Sequence, residues 1–223
     1  MINFALIADV HSQAQKLSDA LNHCQNNNLT PLFLGDLFDS KCEDSDSMGV
    51  YNLVQNAQQN MNAIIIQSNH QNKLIRYLRG NNVVQNFGLD KTIVELQSLD
   101  QNKLCSWLES FPYGVAFRDV RGTEYRISHA YLSSKIQVPE YQDYHLICDV
   151  TKKEMNQMLY GIFSGKDRIR WWENQSHNNW VRVCGHYHHV HIDDHSIVLD
   201  GCCGEDGGKL LVYDVNQKQL HEF

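Results

Sequence analysis

Three times in its first eighty residues the chain repeats one pattern: a short apolar run, a loop of small polar and ionisable residues, then apolar positions at helical spacing. Ile2 to Ala8 leads into Asp9-Val10-His11 and then into Ala14, Leu17, Ala20, Leu21 and Cys24. Pro31 to Leu34 leads into a polar loop reaching about Ser47, followed by a predicted helix through Val50, Leu53, Val54 and Ala57. Ala63 to Gln67 leads into Ser68-Asn69-His70 and the stripe Leu74, Ile75 and Leu78, which ends near Gly80. Repeated strand, loop and helix units predict a largely parallel sheet covered by helices. In such a sheet the loops at the carboxyl ends of the strands open into one crevice.

Beyond Gly80 the pattern changes to a helix around Lys103 to Ser110 and a hairpin of Val115 to Val120 and Thr123 to Ser128 about Arg121-Gly122. The stretch from His129 to Asn179 is irregular, with a helix near Lys152 to Tyr160 and the pair Trp171-Trp172. Strands resume at Val181 to Cys184, Ser196 to Leu199 and Leu210 to Asp214. A chain of 223 residues fits one domain, 1–223, with a cap-like excursion at about 131–179. No apolar run approaches the roughly 20 residues that cross a bilayer, and Met1 to Phe4 enters a strand-like segment without a leader pattern. Seven Cys, odd in number and lacking a Cys-x-x-Cys pair, point to a reducing compartment, with cytoplasm the expectation. A net charge of -7 argues against sequence-independent binding to long nucleic acid, which requires Lys and Arg to neutralise phosphates. Nothing in the chain bears on its oligomeric state.

Chemistry concentrates in five loops, each after a strand: Asp9-Val10-His11, Gly35-Asp36-Leu37-Phe38-Asp39, Asn69-His70, His129, and Gly185-His186-Tyr187-His188. Each alone reads as ordinary turn chemistry; their common placement reads as a site of mixed nitrogen and oxygen ligands, which suits Mn, Fe or Zn better than Mg or Ca.

In order and spacing these loops resemble the motifs of the calcineurin-like metallophosphoesterases: Asp-x-His, Gly-Asp-x-x-Asp, Gly-Asn-His, a lone His and Gly-His-x-His. Within that superfamily, Asn69 to Leu74 and the segment from Leu199-Asp200-Gly201-Cys202-Cys203 to Gly207-Gly208-Lys209-Leu210 look most like bacterial and phage-type phosphoprotein phosphatases. They are also similar to the phosphatase module of polynucleotide end-repair enzymes and to symmetrical dinucleoside tetraphosphatases. The resemblance spans nearly the whole chain and is weakest from Tyr131 to Asn179. It implies a four-layer α/β/β/α sandwich with two mixed sheets. It also implies two divalent cations, manganese first and iron or zinc next, one held by Asp9, His11 and Asp36 with His188 completing the set, the other by Asp36, Asn69, His129 and His186. Two cations ~3.5 to 4 Å apart clamp a phosphoryl group and generate hydroxide at neutral pH. By the same resemblance His70 protonates the leaving group while Asp39 holds its ring.

The implied activity is hydrolysis of phosphomonoesters, first of phosphoproteins at Ser, Thr or Tyr. The alternatives are a nucleotide, a dinucleoside polyphosphate or a nucleic-acid 3′ end, and, from another class, a non-catalytic binding module on the same fold. Two departures bear on substrate. Ser40 and Lys41 stand where the family continues with Arg-Gly, whose Arg grips the substrate phosphate, and neither replaces a bidentate guanidinium. Arg168 and Arg170 are the candidates to serve instead. Ser68 and Gln71 flank Asn-His where Gly and an acidic residue are usual. His189, His191 and His195 read as solvated or supporting groups, Trp171 and Trp172 as cap packing, and Cys202-Cys203 as strand-end packing.

Overall fold

The computed structural model describes residues 2–174 and 179–223, so part of the excursion expected at 131–179 lies outside the described residues. In the first half, β1 (Phe4–Ile7), α1 (Ala14–Asn26), β2 (Thr30–Phe33), α2 (Ser47–Met61), β3 (Ile64–Ile65) and α3 (Asn69–Leu78) follow the predicted repeat. They are followed by α4 (Leu89–Leu96) and α5 (Gln101–Glu109), then by β4 (Gly114–Arg118), β5 (Glu124–Ser128) and β6 (Tyr144–Ile147). Next come α6 (Lys152–Tyr160), the small hairpin β7 (Phe163–Ser164) and β8 (Asp167–Arg168), and a 3-10 turn at Trp171–Asn174. The chain finishes with β9 (Val181–Cys184), β10 (Val190–Ile192), β11 (Ser196–Leu199), β12 (Leu211–Asp214) and β13 (Gln219–Glu222).

Two mixed sheets carry the fold, in the orders β13-β12-β1-β2-β3 and β10-β11-β9-β5-β4-β6. The side chains of β1 show how they stack. All four of its residues are buried, because alternate side chains enter different cores. Phe4 and Leu6 join Val115, Phe117, Ile127, Val183 and Leu199 between the sheets, whereas Ala5 and Ile7 join Leu17, Val54 and Leu108 under the helices. Each of the larger side chains among these contributes about 1.5–3 kcal/mol when taken from water. On the outer face of the second sheet, Met158 of α6 packs with Leu132, Ile136, Ile147 and Trp180. The layers therefore run α/β/β/α, as the resemblance implied. Trp171 and Trp172 pack on Cys184 and Val198, so they serve as core.

Strand direction places the loops. β1 pairs in parallel with β2, and β2 with β3, while β5 pairs in parallel with β9 and β9 with β11. All six strands thus send their carboxyl ends, and the loops that follow, toward one edge of the sandwich. No helix among the described residues is long and apolar enough to cross a membrane.

Candidate metal centre

The first two motif loops are built on each other. The backbone N–H groups of Val10 and His11 both donate to the Asp36 carbonyl, at 3.0 and 2.8 Å, and the Ser12 N–H donates to the Leu37 carbonyl. The third loop starts α3, where the Ser68 side chain caps the helix and leaves Asn69 and His70 in its first turn. Two glycines allow close approach. A Cβ at Gly35, where φ is +111°, would lie 2.6 Å from Ser68 Cβ and 2.8 Å from His129 Nδ1, and one at Gly185 would lie 2.2 Å from Asp9 Oδ1. His11, Asp36, Asp39, His186 and His188 all adopt positive φ without being glycine, the kind of strain that persists where surrounding structure holds a site in shape.

Donor atoms converge on two points. His11, Asp36 and His70 each bring one ligand atom within 4.8 Å of the others, and Asp36, His129 and His186 do the same, so Asp36 is shared. The His129 ring is buried with Nδ1 donating to the Leu34 carbonyl at 2.9 Å, which aims Nε2 at the other motif loops. Facing Nε2 are Asn69 Oδ1 at 2.7 Å, His186 Nδ1 at 3.0 Å and Asp36 Oδ2 at 3.4 Å. Lone pairs gathered this closely and buried need a proton or a cation between them. His11 repeats the device: Nδ1 donates to the Asp39 carbonyl at 2.7 Å, leaving Nε2 free 3.7 Å from Asp36 Oδ2.

Asp9 lies beside both groups. Its Oδ2 accepts from the His186 N–H at 2.7 Å, while its buried Oδ1, like His186 Nε2, has no hydrogen-bond partner. Burial first, then the Asp200 and Asp36 carboxylates, push the Asp9 carboxyl well above its ordinary value, the signature of acids crowded without a counter-cation. Burial and the neighbouring His129 hold His186 well below the ordinary imidazole value, which keeps it neutral and able to ligate. Burial pushes the Asp36 carboxyl upward, yet the flanking His129 and His70 rings hold it well below the carboxylate range. Orphaned buried acceptors, a neutral imidazole and crowded carboxylates are what divalent cations of the Mn, Fe or Zn type satisfy, so the residues present fit the implied metals.

His70 is placed differently. Its Nδ1 bonds Asp39 Oδ2 at 2.7 Å and its Nε2 lies 3.9 Å from Asp36 Oδ2. Burial discourages its charge, but Asp36 and Asp39 outweigh that and raise its pKa. Of the substrate candidates, Arg168 lines the cavity and donates to the His186 carbonyl at 3.3 Å, whereas Arg170 pairs with Glu173 at 3.4 Å and takes no part in the lining. His188 is exposed and lines the same cavity, but its ring groups with Cys202 and Glu205 and stands outside both clusters. Of the His residues behind the motif, His189 stacks on Trp172 and His191 pairs with Asp193.

Sequence reasoning did not single out Asp200. Its Oδ2 accepts from the His188 N–H at 2.7 Å and its Oδ1 from the Cys202 N–H at 3.0 Å, and it presses on Asp9. The signal was available, since Asp200 follows the apolar run Ser196 to Leu199 as Asp9 follows β1. Also unforeseen were Lys73, Arg76, Phe87 and Tyr160, which line the outer part of a cavity of about 550 Å³.

The sandwich and the five loops at its edge have the arrangement that the resemblance to calcineurin-like metallophosphoesterases implied. No family model matches the chain. Among individual proteins, it is similar to the asymmetrical bis(5′-nucleosyl)-tetraphosphatase PrpE of Oceanobacillus iheyensis, at 28% identity covering 96% of this chain and 89% of the relative. In fold it is similar to a crystallised candidate diadenosine tetraphosphatase, with a TM-score of 0.64 at 18% identity, covering 99% and 92% of the two chains. It also matches the cold-active protein-tyrosine phosphatase of a psychrophilic Shewanella, with a TM-score of 0.57 at 17% identity, covering 100% and 80%.

Proposed function

We propose that the protein is a phosphoric ester hydrolase working with two divalent cations. One cation would be held by Asp9, His11 and Asp36, the second by Asp36, Asn69, His129 and His186. His188 would join the first set by turning its ring from Cys202 and Glu205. The single observation that carries this reading is the gathering of buried nitrogen and oxygen atoms about His129 Nε2 beside a His70 held between the Asp36 and Asp39 carboxylates, which raise its pKa. Bound there, the cations, manganese first and iron or zinc next, would polarise the phosphoryl group and make water a nucleophile at neutral pH.

The chain's own groups supply the rest. Asp39 fixes the His70 ring through Nδ1, so the transferable proton sits on Nε2 of a residue that lines the cavity. An alkoxide is a poor leaving group, and protonating it contributes typically 10²- to 10⁴-fold. Arg168, anchored on the His186 carbonyl and over the Tyr187 ring, is placed to steady a phosphate oxygen. The first substrate reading is a phosphomonoester on a protein Ser, Thr or Tyr. A nucleotide carrying more than one phosphate is the second, favoured by the likeness to PrpE and by the cations Lys41, Lys73, Arg76 and Arg168 around one cavity. One domain spanning 1–223, with α6 and the segment around it as a cap, is the organisation proposed with it.

The test is hydrolysis of p-nitrophenyl phosphate with and without Mn²⁺, by the wild type and by Asp36→Asn and His70→Asn. Metal-dependent turnover that Asp36→Asn abolishes and His70→Asn lowers only modestly, since p-nitrophenolate leaves without a proton, is the expected result. Equal inertness of all three across several metals and esters would instead make the chain a binding module on this fold.

A further inference from the structure

The cavity has a second half that the reacting centre does not use. His70, Lys73 and Arg76 form one stripe on α3, three residues apart, and all three line the cavity. At 1.5 Å of rise per residue the stripe carries positive charge about 9 Å along the helix from His70. Arg76 is unusual among the chain's guanidinium groups. Arg79, Arg118, Arg121, Arg126 and Arg170 each pair with a carboxylate. Arg182 is buried against Tyr131, Trp171 and Trp180. Among the described residues only Arg76 and Arg168 are neither paired with a carboxylate nor buried, and both line this cavity. In a chain of net charge -7, leaving those two without a carboxylate reserves them for an outside anion.

Beside the stripe, the segment 82–87 forms the cavity wall, and the Lys73 ammonium ties it to α3 by donating to the Asn86 carbonyl at 2.9 Å and its Oδ1 at 2.6 Å. The segment presents Val84, 74% exposed, and Phe87, 54% exposed, to the opening. Phe87 has φ +59°, a region bulky residues enter only when held there. Its ring stands 6.4 Å from that of His70, with the Lys41 ammonium 5.1 Å from its centroid. An exposed aromatic face beside cations, at the mouth of a phosphate-handling cavity, is a stacking platform for a planar ring.

We infer that the outer cavity is a second substrate subsite, in which Arg76 and Lys73 take a phosphate beyond the one being attacked and Phe87 stacks on the adjoining base. The inference rests on the phosphoesterase reading and, of its two substrate readings, takes the second: a nucleotide-type ester with at least two phosphates. A dinucleoside polyphosphate and a phosphorylated nucleic-acid end share this chemistry.

The experiment measures kcat/KM of the full chain, with Mn²⁺, on diadenosine tetraphosphate, a 3′-phosphorylated oligonucleotide, a phosphotyrosine peptide and p-nitrophenyl phosphate. Arg76→Ala should lower the ratio of the favoured nucleotide substrate over p-nitrophenyl phosphate by roughly 10- to 100-fold, mainly through KM. Phe87→Leu should lower it about tenfold and Phe87→Trp should restore it. Whichever nucleotide arm carries the ratio identifies the source. Direct calorimetric binding of adenosine 5′-diphosphate, weakened by Arg76→Ala, supplies a readout independent of turnover. Should no ester be hydrolysed while Arg76→Ala still weakens that binding, the hydrolase reading falls and the subsite stands. A ratio that both substitutions leave unchanged, or a phosphopeptide preferred over both nucleotides, overturns the subsite.

Discussion

The two ends of the cavity are built on opposite principles. At the inner end His11 and His129 are locked through one ring nitrogen to a backbone carbonyl, His70 is locked to a carboxylate, and the loops that carry them are strained and buried. At the outer end Lys41, Lys73, Arg76 and Phe87 reach the cavity on long or exposed side chains, held by a few polar tethers. Rigidity suits groups that must hold a fixed geometry through a reaction, because misplacement there costs rate directly. Adjustable cations suit recognition, where one anion must be distinguished from another and small shifts are tolerated.

Breaking the inner end should have the largest effects. His70→Asn is expected to cut turnover of an ester with a poor leaving group 10²- to 10⁴-fold, and far less with p-nitrophenyl phosphate, whose leaving group needs no proton. Comparing the two esters in one assay checks this, and equal losses would remove His70 from the acid role. Metal removal comes next. If the buried acceptors are satisfied by cations, chelation should lower the melting temperature, by the equivalent of about 3 kcal/mol at metal near 100 times its dissociation constant, and Asp36→Asn should abolish that metal-dependent shift. Gly35→Ala is expected to cost about 1–3 kcal/mol by overpacking, with further loss from its positive φ, since the added methyl meets Ser68 and the locked His129 ring. Chemical denaturation measures it, and a neutral result would show that the inner loops are looser than their geometry implies.

The smallest effect belongs to a control outside both ends, the turn between β10 and β11. Asp193 accepts from the His195 and Ser196 N–H groups and from His191; burial opposes its charge, but these bonds lower its pKa to about 2. A carboxyl depressed from its unfolded value near 3.9 adds stability above that pH and loses it as pH falls through about 2. Largely exposed, it is worth only about 1 kcal/mol after solvent screening. The stability difference between wild type and Asp193→Ala should therefore be full at pH 6 and shrink between pH 4 and 2.

The same contrast explains what could be read from residues alone. Asp9, His11, Asp36, Asn69 and His186 occupy loops whose strand, turn and helix signals are local, so their positions and their convergence were legible. Helix α6, expected near Lys152 to Tyr160, starts in the structure at a capping box of Thr151 and Glu154, a local signal within four residues. By contrast α4 was missed: it starts at a glycine without a side-chain cap and has only Leu89, Thr92 and Leu96 buried. Strands β6, β10 and β13 were missed as well, since much of each is exposed at or near a sheet edge and its apolar signal is weak. Arg170 illustrates a limit of another kind. Two residues from Arg168 and of the same chemistry, it pairs instead with Glu173, three residues further on. Arg76 and Phe87 carry no motif at all; only the packing of α3 and the path of 82–87 bring them to the cavity.

One strand pairing governs how such a site can come into being. Because β1 lies between β2 and β12, residues 5–7 are bonded to 212–214, and Asp9 is held by a backbone group 177 positions later. A nascent chain displaying only the first three loops would hold several of the converging side chains, yet neither His129, His186 nor the closing strand. If these groups bind cations as proposed, capture would await the last quarter of synthesis, and contacts spanning so much chain make assembly slow. A shortage of metal during biogenesis would then be felt only late.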